Sequence, residues 1–355
     1  MKCIYCGNDS KYKERTNRKC PACGKGFAFE PQDKDPFTDT AFKASIDAVS
    51  AHGHIRWGVE HLYYELCRRL YKRTYPWKYF VPFLVVGGSL LFATGAGLAV
   101  LILGPVWLAV WVLLRRYGRP ATVRLPQPEF DRLWNRWIAI HGNPPGLIVR
   151  KSEPAPARPK EADIGDYSFD RAVICDRART IDLLIANNFH FENNCAILSI
   201  GGYPPGPFET VRTMLKRNPS MQVFALHDAS VAGCKLAHHL ANDPQWFKGH
   251  VAVTDVGIRP RHSRPFEGLF RPAEVSLLTA GKGILGDETE WLNKYVLELA
   301  AIRPEQVLKR LFKAINRREE STSSDAFGSS NGYFYDNDSF SSNATDSGGG
   351  ADSFG

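Results

Sequence analysis

The N-terminal stretch of the sequence lacks the apolar run of a secretory signal peptide, because it opens Met-Lys-Cys and stays polar. We therefore expect a chain in a reducing compartment, where paired cysteines usually bind metals and seldom form disulfides. The sequence also shows no internal repeat of roughly 20–50 residues. The 355 residues are enough for two or three modest folded units.

Charge is missing from one long apolar segment, because residues 79–114 contain no Asp, Glu, Lys or Arg. A membrane-spanning helix needs about 20 apolar residues, so the segment is too long for one upright span and slightly short for two. Thr, Gly and Ala at 94–97 favour a turn between two short helices, at 79–94 and 98–114. An apolar hairpin buried inside a soluble protein is the alternative interpretation.

Basic residues flank both ends of this segment. They are Arg68, Arg69, Lys72, Arg73 and Lys78 before it, and Arg115, Arg116, Arg119 and Arg124 after it. The positive-inside rule places such flanks in the cytoplasm. The sequence therefore predicts a multi-pass membrane protein with two short spans and with both termini in the cytoplasm.

Basic residues are absent from Glu319 to the end of the sequence, where seven acidic residues occur. Removing these seven from the 37 acidic residues leaves 30 against 45 Lys and Arg, so the preceding part has a net charge of +15. A basic body with an acidic tail suggests nucleic acid or an anionic membrane as partner, although basic juxtamembrane segments produce the same excess. Residues 317–355 are rich in Ser, Gly, Asn and Asp, and we expect them to be disordered.

Four of the eight cysteines form two CxxC pairs, Cys3 with Cys6 and Cys20 with Cys23. Two tight turns of this kind bring four thiolates together, which suits the tetrahedral coordination of Zn²⁺. A glycine follows each pair and lets the turn curl so that backbone N–H groups face the sulfurs. We predict a structural zinc ribbon at 1–31, in preference to a redox dithiol or disulfides. Its role is open among nucleic-acid binding, docking of a protein partner and plain stability.

The rest of the sequence predicts helices followed by an α/β domain. Apolar residues recur at helical spacing in 37–73 and 120–150, and residues 151–165 have the Pro-, Ala- and charge-rich composition of a linker. In 166–316, short apolar strands alternate with helical patterns, which predicts a mainly parallel sheet with helices on both faces. The predicted strands are residues 171–175, 196–200, 222–226 and 250–254.

Polar residues stand where these predicted strands end: Asp176, Asp228 and Asp255, with His227 and Ser230 beside the second. Parallel sheets bind ligands at the carboxyl ends of their strands, and clustered carboxylates repel each other unless a cation neutralises them. Mg²⁺ prefers oxygen ligands, so Asp176, Asp228, Asp255 and Ser230 are candidate ligands. His227 is a candidate general acid or base. Helix capping by Asp176 or Asp228, and a structural role for His227, are the alternatives.

Four segments of this domain, taken in order, resemble the Toprim domain, and the resemblance is strongest to the type IIB topoisomerase A subunit and its meiotic recombination relatives. The segments are VICDRARTIDLLIANNF at 173–189, GGYP at 201–204, VFALHDASVAGCKLA at 223–237 and VAVTDVGIRP at 251–260. The stretch LELAAIRP at 297–304 is similar to that family's Glu-Leu-x-Ala-Leu-x-Pro ending. The resemblance implies a Toprim fold with a Mg²⁺ site for phosphodiester chemistry.

The sequence departs from the family at its acidic motif. Asp176 stands where the family has Glu, Asp228 matches the first Asp of its Asp-x-Asp turn, and neutral Ser230 stands at the second. Gly233 keeps the glycine of that turn. The tyrosine nucleophile that the topoisomerases carry on a winged-helix domain has no counterpart here. Two functions therefore stay open: a degenerate nucleic-acid- or nucleotide-binding scaffold or sensor, and a Mg²⁺-dependent phosphodiester hydrolase or nuclease at the cytosolic membrane face.

Overall fold

The computed structural model describes residues 1–15, 17–30, 35–73, 122–149, 169–205, 208–217, 221–248, 251–274 and 283–324. The predicted membrane hairpin at 79–114 and the predicted linker at 151–165 lie outside these residues. Within the described ranges, none of the helices combines the length and the apolar character that a membrane span requires. The membrane anchor therefore stays a prediction from the sequence.

The chain divides into two compact units. Unit one comprises Met1–Leu147 together with Glu267–Arg271, and unit two comprises Ile148–Phe266 together with Pro272–Gly355. Both units are therefore discontinuous in sequence.

Unit one contains the cysteine-rich segment and the helices α1 (Asp39–Val49), α2 (Val59–Arg73) and α3 (Gln127–His141). The last of these lies in the segment 120–150 that was predicted as helical. The predicted helical segment 37–73 is divided in two, because Ala51, His52 and Gly53 have positive φ angles. A left-handed backbone cannot continue a right-handed helix.

An aromatic core joins α1 to α3. The rings of Phe42 and Trp137 stack with centroids 4.7 Å apart, and Phe29 lies 5.1 Å from Phe42. All three side chains are buried. Such aromatic pairs add to the stabilisation that comes from their buried area alone. The apolar positions that predict these helices are thus the ones that form the core.

Glu267–Arg271 completes unit one. The N–H of Val123 donates to the carbonyl of Phe270 at 2.9 Å, and the Phe270 side chain is buried. Gly268 has a φ of +87°, and a Cβ at this position would overlap the ring of Tyr71. Glycine is therefore needed at this point both for the backbone angle and for the close approach.

A four-stranded parallel sheet forms the centre of unit two. Its strands are β1 (Arg171–Cys175), β2 (Cys195–Ser199), β3 (Gln222–Leu226) and β4 (Val253–Asp255), in the spatial order β2-β1-β3-β4. Helices lie on both sides of it, which confirms the predicted α/β class. Because every pairing is parallel, the carboxyl ends of all four strands lie at one edge.

Four helices follow the strands of this sheet: α4 (Ala178–Ala186), α5 (Phe189–Glu192), α6 (Phe208–Arg217) and α7 (Val231–Asn242). Alternate residues of β1, Ala172 and Ile174, share a buried apolar cluster with α6 and α7. This alternation follows from the two-residue period of a strand, which sends neighbouring side chains to opposite faces.

The C-terminal part of the chain contains a two-stranded sheet of β5 (Arg271–Pro272) and β6 (Tyr295–Val296), with the short helix α8 (Thr289–Leu292) before β6. The long helix α9 (Pro304–Ser324) follows. It extends beyond residue 316 into the segment predicted as disordered. Residues from 325 onward lie outside the described ranges.

Candidate functional site

The four N-terminal cysteines lie close enough together to hold a metal ion. Their sulfur atoms are all within 4.8 Å of one another, and all eight cysteines of the chain are free thiols. The Cys3 and Cys23 sulfurs are 3.7 Å apart, and those of Cys6 and Cys20 are 3.6 Å apart. A tetrahedron with zinc–sulfur bonds of about 2.3 Å separates its sulfurs by about 3.8 Å. The predicted cluster therefore has the dimensions of a tetrahedral thiolate site.

Backbone geometry repeats in the two CxxC turns. Gly7 N–H donates to the Cys3 carbonyl at 2.9 Å, and Gly24 N–H donates to the Cys20 carbonyl at 2.8 Å. Both glycines have positive φ angles, of 73° and 68°. Backbone N–H groups of Cys23 and Ala22 lower the pKa of the Cys20 thiol to about 6, although burial opposes this. Amides that stabilise a thiolate favour the form that binds metal.

A hydrogen-bond chain ties this ribbon to the helices of unit one. The buried Asp39 carboxylate accepts the N–H groups of Ala28 and Phe29 at 2.9 and 2.8 Å. Its Oδ2 also lies 2.9 Å from His141 Nε2, and the other ring nitrogen of His141 lies 3.0 Å from the Tyr5 hydroxyl. These hydrogen bonds pack the ribbon against the helices of unit one.

In unit two, Asp176 and Asp228 come together at the carboxyl edge of the sheet. They follow the neighbouring strands β1 and β3, and Asp228 N–H donates to Asp176 Oδ2 at 2.9 Å. The Leu299 N–H donates to Asp228 Oδ1 at 2.6 Å. The other oxygen of Asp176, Oδ1, is buried and has no hydrogen-bond partner.

Arg177 supplies a cation at this edge. Its Nε is in close ionic contact with Asp228 Oδ2, and its Nη2 lies 3.8 Å from Glu298 Oε1. The Arg177 side chain is 49% exposed, whereas that of Asp228 is 2% exposed. The Arg177 guanidinium therefore places a positive charge of the chain itself beside the Asp228 carboxylate. We call Asp176, Arg177, Asp228 and Glu298 the carboxylate rim.

The pKa values of both aspartates in the carboxylate rim are raised. Burial, together with the charge of Asp176, raises the pKa of Asp228 to about 7, and Arg177 opposes this rise. Burial also raises the pKa of Asp176, against the hydrogen bond from the Asp228 backbone. Two buried carboxyls that disfavour each other's charge are typical of functional sites.

His227 and Asp255 belong to a second, deeper network. His227 Nδ1 lies 2.7 Å from the Asp228 carbonyl, which can only accept, and Nε2 lies 2.9 Å from Asp255 Oδ1. Burial opposes protonation, but Asp255 raises the pKa of His227. Arg259 Nε donates to Asp255 Oδ2 at 2.8 Å, and its Nη1 donates to Glu288 Oε2 at 2.6 Å. Both Asp255 oxygens are thereby engaged, and the His227 ring is buried with both nitrogens bonded.

Helix capping accounts for Ser230 but not for the two aspartates. Ser230 is the N-cap of α7, and its hydroxyl accepts the N–H of Gly233 at 3.0 Å. A Cβ on Gly233 would overlap the Asp228 carbonyl, which explains the glycine in this turn. The N-cap of α4 is Arg177, with no side-chain cap. Asp176 and Asp228 therefore do not act as helix caps. Their carboxylates accept the N–H groups of Asp228 and Leu299 instead.

Sequence reasoning missed four charged partners: Arg177, Glu298, Arg259 and Glu288. Arg177 follows Asp176 directly, and Glu298 lies in the LELAAIRP stretch, so both were visible in motifs that carry the Toprim resemblance. Glu298 reaches the rim because Ala229 and Leu297 form an antiparallel bridge. Among the described residues, the four cysteines are the one group in which three or more potential metal ligands converge.

Comparison with known proteins identifies no relative: no family model, no curated protein and no solved structure matches the chain. The resemblance to Toprim domains therefore depends on the quoted segments alone.

The raised pKa of Asp228 gives a testable pH dependence. Its folded-state value of about 7 exceeds the ordinary 3.8, so the folded protein keeps a proton that the unfolded chain has released. The free energy of unfolding should therefore fall as pH rises from about 4 to 7, by up to about 1.4 kcal/mol per pH unit for this one proton. Asp228→Asn should flatten this slope, as measured by hydrogen exchange of β1 and β3. Asp287→Asn, at an exposed residue, is the control, and an unchanged slope in Asp228→Asn would contradict the assignment.

Proposed function

We propose that this chain is a membrane-anchored, zinc-bearing protein whose Toprim-like unit binds nucleic acid or a nucleotide without cleaving it, as a scaffold or sensor. The observation that carries this proposal is the ionic contact of Arg177 with Asp228. In a Mg²⁺-dependent site, the metal takes the position next to such carboxylates. Here the chain provides that positive charge itself.

The donor set of the rim supports the same conclusion. Both Asp228 oxygens are engaged, one by Leu299 N–H and one by Arg177. Asp255 is engaged by His227 and Arg259, and Ser230 by its helix. Of the residues that the sequence suggests for Mg²⁺, Asp176 alone keeps an oxygen with neither a hydrogen bond nor an ion pair. The residues present therefore do not suit a Mg²⁺ ion as they stand.

The second candidate is the Mg²⁺-dependent phosphodiester hydrolase or nuclease. Two observations favour it: the buried Asp176 Oδ1 without a partner, and the half-exposed Arg177 side chain, which can move into solvent. If Arg177 moved away, Asp176, Asp228 and Glu298 would hold uncompensated negative charge, which favours a divalent cation.

Arg177→Gln tests whether the charge of Arg177 keeps a divalent cation out of the carboxylate rim. On the full chain we expect this change to strengthen Mn²⁺ binding by about tenfold or more, because it removes a cation that competes for Asp228. Adding Asp228→Asn should abolish the gain. Arg179→Gln removes the same charge two positions away on an exposed residue and should leave Mn²⁺ binding unchanged. Titration calorimetry measures the Mn²⁺ affinities of the wild type and of the three variants.

A nuclease assay completes the test. The proposed binding function predicts that the wild-type chain leaves single- and double-stranded oligonucleotides intact in Mg²⁺ or Mn²⁺. Metal-dependent cleavage that Asp228→Asn abolishes would overturn this proposal and establish the hydrolase.

The N-terminal half fits the same proposal. The sulfur separations of 3.6 and 3.7 Å support zinc as the metal of the ribbon. Its attachment to unit one through Asp39 supports a structural role, and docking of a protein partner on its exposed face stays open. The segment at 79–114 would anchor the chain by two short spans, with both termini in the cytoplasm.

A further inference from the structure

The described part of unit one reaches close to both ends of the apolar segment at 79–114. Helix α2 ends at Arg73, shortly before this segment, and the described chain resumes at Thr122, shortly after it. The places where the chain leaves unit one and where it returns are therefore both known. Each of them contacts the same short stretch, Glu267–Arg271, which comes from much later in the sequence.

Gly268 contacts the place where the chain leaves. Its backbone lies so close to the ring of Tyr71 that a Cβ at position 268 would overlap this ring. Tyr71 belongs to the last turn of α2. A side chain at position 268 would therefore have to displace the ring and adopt a strained positive φ angle, so glycine is needed for this contact.

Phe270 contacts the place where the chain returns. Thr122 and Phe270 form a parallel β-bridge, in which Val123 N–H donates to the Phe270 carbonyl at 2.9 Å. The Phe270 side chain is buried. Paired backbones of this kind lie about 4.8 Å apart, so the returning chain runs directly beside this stretch.

Helix α2 fastens both the returning chain and Glu267–Arg271. The Tyr63 hydroxyl donates to the Leu125 carbonyl at 2.9 Å, and both of these side chains are buried. The Arg271 guanidinium lies 5.6 Å from the ring centroid of Tyr63 and 5.8 Å from that of Tyr64. Cations over aromatic rings at such distances are attracted to them. Three parts of unit one are thus fixed to one another.

The two points of contact are close together compared with the thickness of a membrane. Gly268 and Phe270 are two residues apart, so their Cα atoms are separated by at most about 7 Å. One membrane span carries a chain about 30 Å from one surface to the other. A chain that leaves beside Gly268 and returns beside Phe270 has come back to the surface where it started. An odd number of spans would place unit one on both sides of the membrane.

We propose that Glu267–Arg271 is the clamp of the membrane anchor, which holds the two ends of the apolar segment side by side and so makes it cross the membrane and come back. The inference rests on the proposed function, because the membrane location of this segment belongs to that proposal. Basic flanks determine the side on which each end lies, but they do not determine the distance between the ends. The clamp determines this distance, and the anchor is complete only after Glu267–Arg271 has folded onto unit one.

Labels at Arg69 in α2 and at the exposed Arg124 test the clamp on the full chain, in sealed membrane vesicles from the expressing cells. A bio-orthogonal amino acid at each position leaves the cysteines untouched. We expect a membrane-impermeant reagent to reach both positions from the same side, and a pair of spin labels to give one main distance below about 30 Å. Reaction from opposite sides, or a longer main distance, would overturn the proposal.

Gly268→Ala should loosen the clamp, because the added methyl group meets the Tyr71 ring. We expect the distribution of distances between the two spin labels to become at least about twice as broad. Gly286→Ala is the matched control, since a Cβ at position 286 meets no atom within 4 Å. Equal distributions in the two variants would contradict the clamp. The labelling of the wild-type backbone decides the question even if Gly268→Ala fails to fold.

Extraction with alkaline carbonate separates a failure of the clamp from a failure of the proposed function. We expect the wild-type chain to stay in the membrane fraction. Release of the wild-type chain would overturn the membrane anchor, and the clamp with it. A chain that is retained, but whose two labelled positions react from opposite sides, would overturn the clamp and leave the anchor in place.

Discussion

Replacing Cys20 by Ser should abolish stoichiometric zinc binding and unfold the N-terminal ribbon. Cys20 is buried, its sulfur lies 3.6 Å from that of Cys6, and backbone amides lower the pKa of its thiol. Ser offers a harder and less acidic ligand, so we expect zinc affinity to fall more than about a hundredfold. Metal analysis of the purified chain gives the zinc content, and competition with a chromogenic chelator gives the affinity.

Cys67→Ala is the matched control for this result. Cys67 is also buried, but it lies in α2, outside the four-sulfur cluster. The variant should keep about one zinc per chain. Hydrogen exchange across residues 1–30 should rise in Cys20→Ser and stay protected in Cys67→Ala. A Cys20→Ser protein that retained both full zinc content and protection would contradict a four-thiolate site.

Arg259→Ala should destabilise unit two by about 3–5 kcal/mol, because it leaves two buried carboxylates without their cation. The Arg259 side chain and those of Asp255 and Glu288 are each 2% exposed. Arg259 also donates through Nη2 to the carbonyls of Cys234 and Gly283, at 3.1 and 3.2 Å. Denaturant titration followed by hydrogen exchange of β3 and β4 measures the change.

Two further variants separate the stability effect of losing a buried charge from the effect of losing a charge at the surface. Arg259→Lys keeps the charge but not the planar fork, so it should restore part of the lost stability. Lys294→Ala removes a surface cation from an exposed ion pair with Glu290 and should leave the unfolding midpoint unchanged. If Arg259→Ala proved no more damaging than Lys294→Ala, the buried network would not support the sheet edge.

The sheet of unit two was largely predictable from the sequence. The predicted bounds of β1 and β3 are those observed, because each is a short apolar run between polar residues. Strand β2 was predicted at 196–200 but lies at Cys195–Ser199, because the apolar run already includes Cys195 at its start. The break between α1 and α2 was missed, although Gly53 marks it, because helical spacing resumes after the turn.

The part of the site that follows from the topology of the sheet could be predicted from the sequence. Parallel strands place their carboxyl ends together, so Asp176 and Asp228 could be expected to meet, and they do. The partners that engage these carboxylates come from distant segments: Leu299 N–H on Asp228, and Glu288 on Arg259. Loops of this length carry no periodic signal, so their contacts could not be read from the pattern.

The interleaving of the two units has a consequence for how the protein can be divided. Leu269 and Phe270 are buried in unit one, yet they follow the sheet of unit two in the chain. Cleavage within the predicted linker at 151–165 would give two polypeptides that still share one hydrophobic core. A C-terminal piece expressed alone would carry these two side chains uncovered, and would be prone to aggregate until its N-terminal complement was supplied.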